Sequence, residues 1–161
     1  MTASVDEYKL VTDVATLFEG DKIILVGKKS SDNTYYAAGA LSGSSPKTYL
    51  SSVAITAPNS EGIISITNAD VDVFTMNSYN GHWRFESTIQ SGKYIGWISG
   101  NYATYSATGT NQEWTISIAD GQATITNVKD DARKLQYNAS SPRFVAYTSN
   151  QTLPSIYKKV N

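Results

Sequence analysis

The chain has no cysteine. That removes disulfide frameworks, thiol nucleophiles and cysteine-based zinc sites together, and leaves the redox compartment open. Only 17% of residues are charged, and the formal net charge is -1 with a pI near 5.7. No broad field draws in phosphate backbones or anionic lipid, so neither nucleic acid nor membrane insertion is expected. No apolar run approaches the about 20 residues that cross a bilayer, and the start "MTASVDEYKL" lacks the basic and apolar regions of a signal peptide. The expectation is a chain not exported by that route, or a mature or excised form carrying an added Met1.

Titratable chemistry is scarce as well. His82 is the single histidine, so a Ser-His-Asp or Cys-His centre would depend on it entirely. Its place beside Trp83 at a turn reads as a solvated surface histidine, with no second histidine for a metal. Close carboxylates occur as Asp70/Asp72 and Asp130/Asp131, and glycoside hydrolysis does use two carboxyl groups across a substrate. Both pairs lie in polar, turn-like stretches without a nearby glutamate and read as solvated loop charges. A loop calcium site there would lack the ligand spacing of an EF-hand. Neither G-x-G-x-x-G, a P-loop nor G-x-S-x-G occurs. A non-enzyme without metal or cofactor is expected.

What the chain has is 20 Ser, 17 Thr, 11 Tyr and 11 Asn against 5 Glu and 3 Arg. Such a balance favours strands and turns over helices. Alternating runs recur as "DKIILVG", "DVFTMN", "HWRFES", "EWTISIA", "QATITNV" and "RFVAYTS", separated by "EGD", "YNG", "ADG" and "SSPR", whose residues suit tight turns. At 161 residues one domain is the default.

These runs repeat. Phe74-Thr75-Met76, Asn80-Gly81 and Trp83-Arg84-Phe85 stand over Trp114-Thr115-Ile116, Asp120-Gly121 and Ala123-Thr124-Ile125 at an offset of 40. Lys93-Tyr94 then answers Lys134-Leu135 at 41, and Tyr102 to Ser106 answers Phe144 to Thr148 at 42, a drift of one residue per loop. A weaker first copy has Glu19-Gly20-Asp21 as its turn, Ile23-Ile24-Leu25 and Tyr35-Tyr36-Ala37 as strands, and the insertion "LSGSSPKTYLSSVAITAPNSEG". The expected fold is all-β, a pseudo-threefold β-trefoil-like barrel of about 12 short strands, with copies over about 8–70, 71–112 and 113–160. Closure would remove exposed edges and build a shared core. A different closed barrel or a β-sandwich is the alternative.

Alternation assigns Ile23, Leu25, Phe74, Met76, Trp83, Phe85, Tyr94, Trp114, Ile116, Ala123, Ile125 and Leu135 to that core. Arg84, Glu86, Thr124 and Thr126 then face outward. A single helical turn capped by Asp13 is expected in "VATLFEG", and "SIYKKV" is expected to pair with "EYKLVT".

Tyr8, Leu10 to Asp13 and Gly20 to Leu25, with Leu135, Tyr137-Asn138, Arg143-Phe144, Tyr147 and Ile156-Tyr157-Lys158, carry a family resemblance. Through them the chain resembles β-rich modules towards the C-terminus of secreted or surface proteins of Bacteroidetes-type gut and rumen bacteria. The resemblance implies an accessory or adhesive role and an extracellular or cell-surface location, attached to a parent enzyme or surface protein. In repeat architecture the chain is also similar to β-trefoil lectins, although their Gln-x-Trp signature is missing and "NQEW" is its nearest approach.

With catalysis and nucleotide binding set aside, binding remains. Sugars present C–H faces and hydroxyl edges, which proteins meet with a stacked aromatic ring and polar side chains around it. If Tyr94 points inward like Leu135, Trp97 takes the opposite face and aligns with Asn138. Trp97, Tyr79, Tyr102 and Tyr105 then form a loop-rich aromatic cluster, unless these rings complete the core. Tyr137, Asn138 and Arg143, with Arg133, surround "ASSPR" and suit an acidic or hydroxyl-rich ligand, or Arg133 and Arg143 pair with Asp130 and Asp131. The sequence is therefore read as a non-catalytic carbohydrate-binding module for a polysaccharide or oligosaccharide. The alternatives are a protein-interaction, adhesin or phage-appendage module and, third, a glycoside hydrolase.

Overall fold

A computed structural model describes residues 5–43, 49–97, 99–106 and 110–160. Fourteen strands carry the architecture: β1 Asp6–Leu10, β2 Lys22–Lys29, β3 Thr34–Ser42, β4 Tyr49–Ile55, β5 Ile63–Ile66, β6 Phe74–Tyr79, β7 His82–Ser87, β8 Tyr94–Trp97, β9 Ala103–Ser106, β10 Trp114–Ala119, β11 Gln122–Asn127, β12 Lys134–Asn138, β13 Arg143–Tyr147 and β14 Ser155–Lys159. Two three-residue 3-10 turns are the only helical segments among the described residues. The chain is all-β, as its composition requires. Pairing runs β5-β1-β14-β2-β3-β4-β13-β12-β11-β10-β7-β8-β9, and β6 lies off this path against both β2 and β7. Every strand pair is antiparallel.

Two hairpins reproduce each other residue for residue. Asn80-Gly81 has φ of 51° and 77°, and Asp120-Gly121 has 53° and 74°. Positive φ at both turn positions is the type I′ geometry that matches the twist of the flanking strands, which is why Asn-Gly and Asp-Gly stand there. Met76 faces Phe85 across the first hairpin, and Ile116 faces Ile125 across the second. The offset of 40 is thus a structural register.

A third pair shares this register without a hairpin of its own: Ile156 of β14 faces Leu25 of β2. Links between pairs repeat too, Phe74 standing against Ile23 and Trp114 against Trp83. At the third link the Ala123 amide donates to the Pro154 carbonyl at 2.8 Å. The strand that faces β2 in this register therefore comes from the far end of the chain. As expected, β1 pairs with β14, with Leu10 opposite Tyr157, and Asp13 caps the first 3-10 turn by accepting from the Ala15 amide at 2.9 Å.

The expected drift of one residue per loop is corrected. Glu86 faces Tyr94 and Thr126 faces Lys134, so the offset is still 40 there. The two connections have equal length, each closed by an equivalent 2.9 Å bond, from the Ser87 amide to the Lys93 carbonyl and from the Asn127 amide to the Arg133 carbonyl. The extra residue falls one turn later, where Ile95 faces Tyr105 but Leu135 faces Ala146. Ala103 rather than Tyr102 thus answers Phe144. Strand side chains alternate, so one residue of slip reverses every assignment. Ile95, not Tyr94, joins Leu135 in the core, and both are fully buried.

The main core gathers Ile23, Leu25, Phe74, Met76, Phe85, Trp114, Ala123, Ile125 and Ile156, with Trp83, Trp97 and Ile116 packed partly against it. Its largest side chain, Trp114, donates its indole N–H to the Ile95 carbonyl at 2.9 Å, which satisfies the one polar atom it buries. A second cluster lies on the other face of β2. There Tyr8 and Ile64, from β1 and β5, cover Ile24, Val26 and Ala37.

Candidate functional site

The expected aromatic cluster is divided among different environments. Tyr105 is 5% exposed and Tyr137 fully buried, so neither can offer a face to a ligand. Tyr137 lies between Tyr36, stacked at 5.9 Å, and Phe144 at 5.0 Å. With the corrected register Trp97 aligns with Tyr137 rather than Asn138, and it sits half-buried with its indole N–H donating to the Gly100 carbonyl at 2.9 Å. Arg133 stands 5.4 Å from the Trp97 ring centre and donates to Asn101 Oδ1 at 2.8 Å. Tyr102 is half exposed nearby in sequence, at 50%. Tyr79 is exposed elsewhere, against Arg84.

The "ASSPR" turn uses its own polar groups. Asn138 Oδ1 accepts from the Ser140 and Ser141 amides at 3.0 and 3.3 Å, and its Nδ2 donates to the Tyr147 hydroxyl at 2.9 Å. Arg143 donates to the Ser141 carbonyl at 2.9 Å and stacks 4.0 Å from the Tyr49 ring centre. Arg133 is paired with Asp130 at 3.6 Å. These contacts orient the turn and leave Asn138 little capacity for a ligand.

The carboxylates also depart from expectation. Asp70 is exposed, but Asp72 is fully buried. Asp72 Oδ2 accepts from the Ser87 hydroxyl at 2.5 Å and the Tyr105 hydroxyl at 2.8 Å, and Oδ1 accepts from the Thr88 and Ile89 amides at 3.0 and 3.2 Å. Four donors suit an ionised carboxylate away from water. Burial, and then the charge on Asp72, push the Tyr105 hydroxyl well above its ordinary pKa. His82 is half-buried rather than solvated, because its Nδ1 lies 3.3 Å from Oε1 of the buried Glu113. Among the described residues, no three His, Asp or Glu side chains gather into a metal site.

A concavity lies where sequence reasoning did not look. A groove of about 560 Å³ is lined by Lys28, Gln122, Thr124, Lys134, Gln136 and Gln151, among others. Past Lys28, Gln122, Thr152 and Leu153 it runs into a second pocket of about 250 Å³ that adds Leu10, Tyr35 and Tyr157. Gln136 is buried and fully engaged: it accepts from the Gln151 amide at 2.8 Å and donates to the Ser149 carbonyl at 3.0 Å. It therefore fixes the 149–151 loop as one wall. Gln122, Asn150 and Gln151 line the groove and are exposed, with amide donors and acceptors beyond the Gln151 Nε2 bond to the Ser149 hydroxyl at 3.4 Å. The Lys28 ammonium stands 5.6 Å from the Tyr35 ring centre.

The signal for this groove was present in the repeat but required the correct register. Position by position, Arg84 of the second copy corresponds to Thr124, and Tyr94 to Lys134. Smaller or straighter side chains in the third copy mark space that the second copy fills.

No family model and no curated protein matches the chain. Solved structures do match: one of the lysenin pore and one of a complex of lysenin with phosphocholine, each with a TM-score of 0.55 and 14% identity over 90% of this chain. The chain spans about half the length of these lysenin chains, 48% and 46%. At this identity the likeness is one of fold, and it agrees with the β-rich architecture described above.

Proposed function

We propose that the chain is a non-catalytic carbohydrate-binding module on a pseudo-threefold β-trefoil-like scaffold, serving a surface or secreted protein or a glycan-degrading enzyme. The scaffold reading is supported by the register shared between β6–β7, β10–β11 and β14–β2. The groove carries the binding reading. Its rim of amides and hydroxyls from Gln122, Thr124, Asn150 and Gln151 suits the paired donors and acceptors of sugar hydroxyls, and Tyr35 with Leu10 and Leu153 offers apolar surface for a C–H face. Aromatic stacking plus edge contacts in so open a site correspond to millimolar to micromolar affinity, about 4 to 8 kcal/mol.

The test is affinity electrophoresis through gels containing polysaccharides, comparing the parent chain with Gln122→Ala/Gln151→Ala and with Trp97→Ala/Tyr102→Ala. Retention lost in the first pair supports the groove, and retention lost only in the second moves the site to the Trp97 surface. A chain retained by no polysaccharide refutes the reading. The lysenin complex with phosphocholine favours a second reading, recognition of a phosphocholine headgroup. It predicts sedimentation with phosphatidylcholine vesicles, competed by free phosphocholine.

A further inference from the structure

The same outer position occurs three times, and it is open once. In the second copy Arg84 fills it, its guanidinium 3.7 Å from the Tyr79 ring centre and 5.5 Å from that of Tyr94. In the first copy Ile24 and Ala37 stand there, roofed by Tyr8 and Ile64. In the third copy the equivalents of Tyr79, Arg84 and Tyr94 are Ala119, Thr124 and Lys134, and Thr124 and Lys134 line the groove.

The open copy is also cationic. Lys134 enters from β12 and Lys28 from β2, and both line the groove while no carboxylate does. Among the described residues neither lysine is in an ion pair. Of the neighbouring charges, Asp120 lines only the adjoining pocket, and Lys29 pairs with Asp32 at 3.8 Å. Two lysines outside any ion pair, lining one groove with a wall of amides, suit an anion that also carries hydroxyls. Resting on the saccharide reading, we infer that the third-copy groove selects acidic saccharides, with Lys28 and Lys134 taking a carboxylate or sulfate ester and the amides taking neighbouring hydroxyls.

The experiment measures binding of the full chain by calorimetry to oligogalacturonate and sulfated dextran, with neutral dextran and xylan as comparisons. Acidic ligands are expected to bind more tightly, with affinity falling as salt rises. Lys28→Gln/Lys134→Gln should weaken acidic binding at least about tenfold, because hydrogen bonds to charged groups are the strong ones. Lys93→Gln/Lys129→Gln, an equal change of charge at exposed positions outside the groove, should leave it unaltered. Ala119→Tyr/Thr124→Arg/Lys134→Tyr, which transplants the second copy's filling, should abolish binding while the urea midpoint reports an intact fold. Neutral and acidic ligands binding alike, or acidic binding indifferent to the lysine pair, overturns the acidic preference and leaves the saccharide reading standing. Binding of no glycan overturns both. Lysine-dependent binding to phosphatidylcholine vesicles alone transfers the anion to a phosphate and overturns the inference.

Discussion

The buried carboxylate of Asp72 permits a quantitative test of whether it belongs to structure or to chemistry. Asp72→Ala would strip the buried Ser87 hydroxyl of its acceptor and leave the Tyr105 hydroxyl only the Gly39 carbonyl at 3.1 Å, while Thr88 and Ile89, whose amides also donate to Asp72, are exposed residues. A buried donor left unsatisfied costs about 1–3 kcal/mol and a lost hydrogen bond to a charged group about 1.5–3 kcal/mol, so the Ser87 and Tyr105 losses together come to about 4 kcal/mol. That is a large share of the about 5–15 kcal/mol that stabilises a domain. Tyr105→Phe removes one hydrogen bond to a charged acceptor, about 1.5–3 kcal/mol, and leaves Asp72 with three donors. In the double variant Tyr105→Phe removes only the neutral bond to the Gly39 carbonyl, so adding it to Asp72→Ala should cost about 1 kcal/mol or less. The cycle should therefore show a coupling of about 1–2 kcal/mol. Urea denaturation measures it, read from midpoints at constant slope. Strictly additive effects, within about 0.5 kcal/mol, would show that the 2.8 Å contact holds no energy and refute the description of Asp72 as the centre of a structural knot.

Two further predictions concern the core. Burial, aided by Asp6, pushes the Tyr8 hydroxyl up to about 12, against about 10 in an unfolded chain. The unfolded state therefore releases a proton first, and stability from this group is intact below pH 10 and falls by about 1.4 kcal/mol per unit between pH 10 and 12. The raised Tyr105, Tyr137 and Tyr157 steepen the loss; melting temperatures from pH 9 to 12 check it, and a flat profile contradicts it. Gly27→Ala would set a Cβ 2.3 Å from Tyr137 Cγ, and Tyr137 is held between Tyr36 and Phe144. A loss of about 3 kcal/mol is expected from such overpacking, and an unchanged urea midpoint would mean that the ring can move aside.

Much of the fold was legible because the repeat is written in turn residues and alternation. Asn80-Gly81 and Asp120-Gly121 announced their type I′ hairpins, and Phe74, Phe85, Trp114 and Ile125 announced the core. The loops were less legible. One residue placed in the wrong turn exchanged Tyr94 for Ile95, and with it the side of the strand assigned to Trp97. Tyr105 and Tyr137 are chemically apt for sugar binding, but an aromatic on a strand serves a core equally well, and only its neighbours decide. Asp72 looked like a loop charge because Ser87 and Tyr105, its partners, lie 15 and 33 residues away.

The sequence by itself determined the all-β class, the 40-residue register, the caps and the poverty of catalytic groups, since each depends on local propensity or simple inventory. Tertiary structure alone decided that β14 pairs with β2, that Asp72 is sealed inside, and that Lys28 and Lys134 line one groove. Those facts depend on which distant side chains occupy the same space. Alternation along a strand assigns a face, but it cannot tell whether that face meets water, another strand or an empty groove.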